Sequence, residues 1–233
     1  MHPRQLAVEI PPEALRHMEH TMKRQWRRYR AELQRCQEKL SEDSVHDSRV
    51  DARRLLATFE LLEGFLSPGL LKKARRGLKQ HLDIFDDLRD AQVLLRLARP
   101  LRNSFPLDRM FYHWLHAREA RCARQAQACV RRLRPKALGK LVRACREDLR
   151  CGLPKSIYKS AGARIWRSVD RAFVRAEQRR ARIDPCRAET IHRTRVAFKK
   201  LRYMIEALAT HVLPVRKKFL ETLRQYQTST GDV

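Results

Sequence analysis

Apolar residues recur along most of this chain at steps of three and four positions, which is the spacing of one helix face. No stretch alternates apolar and polar residues in the way that a half-buried strand would. Proline and glycine interrupt the pattern and set the expected helix ends. The pattern predicts an all-α fold with helices over about 12–40, 44–66, 70–98, 105–134, 136–150, 157–182 and 190–211, and a last helix from about 215.

Two of these helices carry nearly the same sequence. Residues 45–55 read VHDSRVDARRL and residues 191–201 read IHRTRVAFKKL, at a constant offset of 192 − 46 = 146. Their apolar positions continue to match over the following turns, in the pairs Val45/Ile191, Ala52/Phe198, Leu55/Leu201, Phe59/Ile205, Leu62/Leu208 and Leu66/Val212. Such a seam is the buried stripe of a helix in a bundle. The repeat therefore predicts a duplicated helical scaffold.

Beside each seam a helical wheel places a narrow polar stripe. The first stripe contains His46, Arg49 and Arg53, and the second contains His192, Arg195, Lys199 and Arg202, with Tyr203 at its edge. Like charges three or four residues apart destabilise a helix by a few tenths of a kcal/mol per pair. Their repetition at matched positions favours a binding role. Glu60 and Glu206 end the two stripes, either as routine helix ion pairs or as groups that orient a cation.

The charge balance indicates a polyanionic partner. Lysine and arginine total 52 against 26 acidic residues, which gives a formal charge of +26. Self-repulsion at this charge opposes compaction and is relieved by an anion. The charge alone does not choose among nucleic acid, an anionic membrane and another polyanion. Arginine exceeds lysine, which suits bidentate contacts to phosphate oxygens.

Other sequence features favour a cytoplasmic protein that is not an enzyme. We find no secretory signal and no apolar run long enough to cross a membrane, and the six cysteines lack CxxC spacing and are interpreted as reduced thiols. No phosphate-cradling glycine loop or nucleophile elbow is present. We therefore expect no cofactor, no metal and no membrane partner. Asp83, Asp86, Asp87 and Asp90 share a helical face and are interpreted as partners of nearby arginines, with magnesium binding as the alternative.

The repeated segments, together with DDLRDAQVLL at 86–95, resemble the CHAD family, the conserved-histidine α-helical domains. The resemblance covers about residues 10–233. It implies two pseudo-symmetric four-helix bundles, here 1–134 and 135–233, with a basic groove between them that binds inorganic polyphosphate. Some members associate with storage granules. Carried over to this sequence, it implicates His46, Arg49, Arg53, Arg54, His192, Arg195, Lys199, Lys200, Arg202 and Tyr203, and by extension Lys72, Lys73, Arg76 and Lys79.

Two departures from the family pattern stand out. Phe85 occupies a position before the LRD triplet where the family usually has glycine, and the chain ends at Val233, inside the second copy of that motif. We therefore expect a second half that is either truncated or an incompletely ordered copy. The alternative ligand is nucleic acid, although Tyr203 is the one aromatic residue within the stripes that could stack on a base. A granule-associated scaffold is a third hypothesis and is compatible with the first.

Overall fold

A computed structural model describes residues 13–101, 106–151, 156–157, 160–209 and 216–229. Within those ranges the chain forms nine α-helices and no strand, which confirms the all-α prediction. No described helix is both long enough and apolar enough to cross a bilayer. The helices are α1 (Ala14–Glu38), α2 (Glu42–Leu61), α3 (Pro68–Asp83), α4 (Asp86–Ala98), α5 (Pro106–Arg132), α6 (Pro135–Cys151), α7 (Ala161–Arg180), α8 (Ala188–Ala209) and α9 (Lys217–Ser229).

The chain divides into two compact units, each assembled from separate stretches of sequence. Unit 1 comprises Met1–Gln25, Arg53–Lys72 and Val142–Val233, and unit 2 comprises Trp26–Ala52 and Lys73–Leu141. Helices α1, α2, α3 and α6 therefore contribute residues to both units. The two pseudo-symmetric bundles, their halves at 1–134 and 135–233 and the groove between them stay predictions.

The helix expected over 70–98 is wrong in one respect, because it is two helices. The chain turns at residues 84–85, between α3 and α4. Phe85 is buried there, and its amide donates to the Leu82 carbonyl at 3.0 Å. Its φ and ψ are −101° and −1°, which any L-residue can adopt. Glycine is therefore not needed at this turn, and neither glycine nor proline announces the break.

The apolar seam is buried more completely on α2 than on α8. Val45, Ala52, Leu55, Phe59 and Leu62 are all almost inaccessible to solvent. On α8 the equivalent residues Leu201 and Leu208 are buried, whereas the others that the structure describes are half-buried. Burial of each large apolar side chain contributes about 1.5–3 kcal/mol. The seam of α2 therefore fixes the orientation of that helix, and with it the direction of its cations.

Unit 1 places α8 in contact with both α7 and α9. The rings of Phe198 on α8 and Tyr226 on α9 lie 4.5 Å apart between centroids. Near the start of the unit, Thr58 of α2 donates a hydrogen bond of 2.8 Å to Gln25 of α1. Arg146 of α6 forms an ion pair with the buried Glu19 of α1 through its Nε atom at 2.6 Å. The hydrogen bond of Thr58 attaches to α1 the part of α2 that carries Arg53 and Arg54.

Candidate functional site: cations around Tyr203

In unit 1 the two repeats meet around one buried tyrosine. The Arg54 guanidinium of α2 lies 5.7 Å from the centre of the Tyr203 ring of α8, and the Arg202 guanidinium lies 4.6 Å from it. Arg53 is close enough to Tyr203 to act on its ionisation. We call Arg53, Arg54, Arg202 and Tyr203 the Tyr203 cluster. Cation–π contacts of this kind are worth about 0.5–2 kcal/mol each, more when they are desolvated.

The ionisation of Tyr203 reflects its surroundings. Burial raises the pKa of the Tyr203 phenol above its usual value, and the charges of Arg202, Arg54 and Arg53 act in the opposite direction. Because burial has the larger effect, the phenol stays protonated near neutral pH. Tyr203 therefore serves as a neutral aromatic platform for the arginines and carries no charge that would repel an anion.

Arg202 is held in place from two sides. Its Nη1 atom lies 2.5 Å from Glu206 Oε1 one turn later on α8, and its Nε atom donates to Gln227 Oε1 of α9 at 2.8 Å. Arg224 of α9 donates to the same Glu206 oxygen at 3.2 Å. The Arg202 and Glu206 side chains are both largely buried. Arg202 therefore joins α8 to α9 and fixes the ring on which Arg54 lies.

The acidic residues that end the two stripes have different partners. Glu206 pairs with Arg202 in its own helix and with Arg224 of α9, whereas Glu60 of α2 pairs with Lys200 of α8 and lies 3.9 Å from Arg175 of α7. Lys200 is the repeat equivalent of Arg54, since 200 − 54 = 146. The ion pair between Lys200 and Glu60 therefore links the two repeated helices directly, next to the Tyr203 cluster.

In unit 2 the first stripe contributes to a structural pair of salt bridges. The buried Arg49 of α2 donates from Nη1 to Asp86 Oδ1 at 2.6 Å and to the Leu82 carbonyl at 3.0 Å. Arg89 of α4 donates in return to Glu42 of α2 at 3.0 Å. These contacts join the VHDSRVDARRL and DDLRDAQVLL segments across the turn at Phe85. Asp86 is thus the partner of an arginine, as the sequence interpretation favoured.

The remaining predicted site residues differ in their exposure. His46, Lys72, Lys73, Arg76, Lys79 and His192 are exposed, whereas Arg53, Arg54, Arg195, Lys199 and Lys200 are half-buried and Arg49, Arg202 and Tyr203 are buried. Lys72, Arg76 and Lys79 follow one face of α3 at helical spacing. The structure therefore separates the predicted residues into cations that solvent reaches, fully or in part, and residues that are buried. The sequence repeat does not identify Gln227 and Arg224, because α9 lies outside it. These two residues bond to Arg202 and Glu206.

Metal binding finds no support in the geometry of these side chains. Among the described residues, no group of three or more histidine, cysteine, aspartate or glutamate side chains is placed to hold a metal ion. The predicted site residues that solvent reaches carry guanidinium, ammonium and imidazole groups. Such groups bind oxyanions by charge-assisted hydrogen bonds.

These observations define the class of the protein: it is an all-helical domain in which a cationic helix that carries a histidine occurs twice. The CHAD domain family matches residues 17–233, and the chain belongs to that family. A crystal structure of the CHAD domain from the plant Ricinus communis is similar to it, with a TM-score of 0.68 and 19% identity. The similarity covers 100% of this chain and 78% of that one. At this identity the similarity shows the fold alone, and no curated protein matches the chain.

Proposed function

We propose that this protein is a non-enzymatic module that binds inorganic polyphosphate through the cations of its two repeated helices. The observation that carries the proposal is the Tyr203 cluster, where Arg53 and Arg54 from the first repeat meet Arg202 and Tyr203 from the second. The net charge of +26 supports a ligand with many negative charges. Membership of the CHAD family is consistent with polyphosphate as that ligand.

The side chains present are those that a linear phosphate polymer needs. Polyphosphate offers identical anionic groups along its length, so recognition requires repeated donors and no device that reads a base edge. Guanidinium groups supply planar forks and ammonium groups supply point charges. Tyr203 is nearly inaccessible, at 3% exposure, and its ring is occupied by two arginines of the chain itself. It is therefore unsuited to stack on a nucleic-acid base, which favours polyphosphate over nucleic acid.

We assign two roles within the predicted set. Arg49, Arg202 and Tyr203 are positioning residues, because they are buried and bonded to the chain itself. The binding groups are the residues that solvent reaches: His46, Arg53, Arg54, Lys72, Lys73, Arg76, Lys79, His192, Arg195, Lys199 and Lys200. Within unit 1 we expect Arg53 and Arg54 to contribute most, because both lie near the buried Tyr203 and its ring limits the freedom of the Arg54 guanidinium before the ligand arrives.

The test replaces the two arginines with glutamine, which is shorter, keeps a polar end and removes the charge. In the Arg53→Gln/Arg54→Gln variant we expect affinity for long-chain polyphosphate to fall at least about tenfold, the equivalent of ~1.4 kcal/mol. The matched control is Arg179→Gln/Arg182→Gln, which removes the same charge from two exposed positions at the end of α7. Equal losses in both variants would mean that binding follows net charge alone, and the assignment of the site would be wrong.

The proposal places the protein in the cytoplasm, with polyphosphate or storage granules as the structures on which it would collect. Association with a granule would follow from the same cations, because a granule presents many phosphate chains at once and multivalent contact raises the apparent affinity. Localisation of the Arg53→Gln/Arg54→Gln variant in cells that hold such granules tests this. A variant that stays on the granule would separate granule association from polyphosphate binding.

A further inference from the structure

One end of the α4–α5 hairpin in unit 2 exposes a group of large apolar side chains. Helices α4 and α5 pack on each other, and the end of α4 with its following turn lies next in sequence to the start of α5. We call this surface the apolar tip; its residues are Leu97, Leu101, Met110, Phe111 and Trp114. Met110 is 71% exposed and Leu97 is 65% exposed. A group of large exposed apolar side chains at one end of a helical hairpin is typical of an interaction site.

The two aromatic rings of the apolar tip are arranged before any partner binds. Phe111 and Trp114 stack at 6.0 Å between centroids with an interplanar angle of 14°, and both remain about half exposed. One turn further along α5, the Arg118 guanidinium lies 5.7 Å from the Trp114 ring. The same helix face thus changes from apolar to cationic within about 6 Å, given a rise of ~1.5 Å per residue.

The surroundings of the apolar tip are basic. The described stretches 94–101 and 109–121 carry Arg96, Arg99, Arg109, Arg118 and Arg121 against Glu119. Among these, Arg96, Arg99, Arg109 and Arg121 have exposed side chains. The acidic residues of α4 are gathered in its first turns, at Asp86, Asp87 and Asp90, about three to four helical turns before Leu101. The charge complementary to this rim is negative.

This charge pattern decides among the occupants that an apolar surface can have. A second copy of the chain would bring two arginine rims together, and their mutual repulsion would oppose the contact. A bilayer with anionic headgroups accepts both parts, because apolar side chains enter about 5–10 Å into the boundary of headgroups and acyl chains while arginines stay at headgroup level. Tryptophan and arginine are the residue types that favour this boundary.

We propose that the apolar tip of the α4–α5 hairpin docks on a phospholipid surface that carries anionic headgroups. The contact is peripheral and requires no helix that crosses the bilayer. The expectation of no membrane partner rests on the lack of a crossing segment and so concerns a different kind of contact. This surface shares no residue with the predicted polyphosphate site, so the inference stands whether or not polyphosphate binding is confirmed.

The experiment keeps charge constant and removes apolar surface. Full-length protein without polyphosphate is sedimented with vesicles of phosphatidylcholine alone and with vesicles that also contain phosphatidylglycerol. The test variant is Met110→Gln/Trp114→Gln. The matched control is Val174→Gln/Val196→Gln, at two valines that are 50% and 54% exposed on α7 and α8. All four positions are exposed, so we expect each variant to keep the helicity of the parent chain.

We expect the parent protein and the control to bind anionic vesicles and the test variant to bind them at least about tenfold less, the equivalent of ~1.4 kcal/mol. Unchanged binding of the test variant would show that net charge alone drives association and would overturn the proposal. Equal binding to both kinds of vesicle would also overturn it. So would a change in oligomeric state of the test variant in light scattering, which would identify the tip as a contact between copies.

Discussion

Arg49 and Arg195 are equivalent in the repeat, yet the structure predicts that they respond differently to the same substitution. We consider Arg49→Met and Arg195→Met, which keep an unbranched side chain with an apolar stem and remove its charge. Arg49 is 8% exposed and bonded to Asp86 and to the Leu82 carbonyl, whereas Arg195 is half-buried. The first change removes contacts that hold the turn between α3 and α4. The second removes a binding group of the proposed site.

The magnitude follows from the two bonds of Arg49. A hydrogen bond to a charged group contributes about 1.5–3 kcal/mol, and a pair whose carboxylate is half exposed contributes less, about 1 kcal/mol or below. Asp86 is 54% exposed and regains water when Arg49 is lost, while methionine recovers part of the packing. We therefore expect Arg49→Met to lower the free energy of unfolding by about 2 kcal/mol. For a chain of this size that corresponds to a Tm lower by roughly 4–8 °C.

The assay is thermal and urea unfolding followed by far-UV circular dichroism, with polyphosphate affinity measured well below Tm. Arg195→Met should change the unfolding free energy by no more than about 0.5 kcal/mol and should weaken polyphosphate binding. Arg49→Met should lower the unfolding free energy and leave polyphosphate binding largely unchanged. An Arg49→Met protein with the stability of the parent chain and much weaker binding would refute the structural role given to Arg49.

Three further predictions concern charge, pH and packing. The Lys73→Gln/Lys79→Gln variant should lower the slope of log affinity for polyphosphate against log salt by about 1.4–1.8, by analogy with counterion release from nucleic acid, and an unchanged slope would remove both lysines from the site. Burial lowers the pKa of His81, so the imidazole takes up a proton on unfolding when the pH is below its ordinary pKa of 6.5. The free energy of unfolding should therefore fall as the pH drops below that value, by at most about 1.4 kcal/mol per pH unit. In urea unfolding measured against pH, His81→Gln should flatten this part of the profile of midpoints. A Cβ atom on Gly139 would lie 3.0 Å from a carbon of the Trp26 indole, whereas one on Gly69 would meet nothing within 4 Å. Gly139→Val should therefore lower the free energy of unfolding by about 1–3 kcal/mol, and Gly69→Ala should not lower it. Calorimetry of the two variants separates these outcomes.

Helix type and most helix positions follow from the sequence, because a seam of apolar residues has to be buried along one face. The turn between α3 and α4 could not be predicted in this way. Phe85 carries no local signal for it, and its negative φ needs no glycine. Its buried ring and the ion pair of Arg49 with Asp86 stabilise the turn, and both depend on residues distant in sequence. Packing thus decides a boundary that propensity leaves open.

In the candidate site too, the sequence identifies residues whose neighbours it does not reveal. A helical wheel places Arg49 in one stripe with His46. It does not reveal that α4 covers Arg49 and leaves His46 exposed. Glu60 and Glu206 occupy equivalent positions, yet α7 and α8 supply the partners of Glu60 while Glu206 pairs within α8 and with α9. The repeat identifies which residues are special. Their neighbours, which the repeat does not contain, determine which of them anchor the fold.

Competition binding tests the central claim most directly, that a phosphate polymer is the ligand of the cations around Tyr203. Labelled long-chain polyphosphate bound to the full-length protein would be displaced with unlabelled polyphosphate, duplex DNA and ATP at several salt concentrations. The account predicts that polyphosphate displaces the label at far lower phosphate concentration than DNA does, and that this preference shrinks in Arg53→Gln/Arg54→Gln. Equal displacement by DNA, or a preference that this variant retains in full, would contradict it.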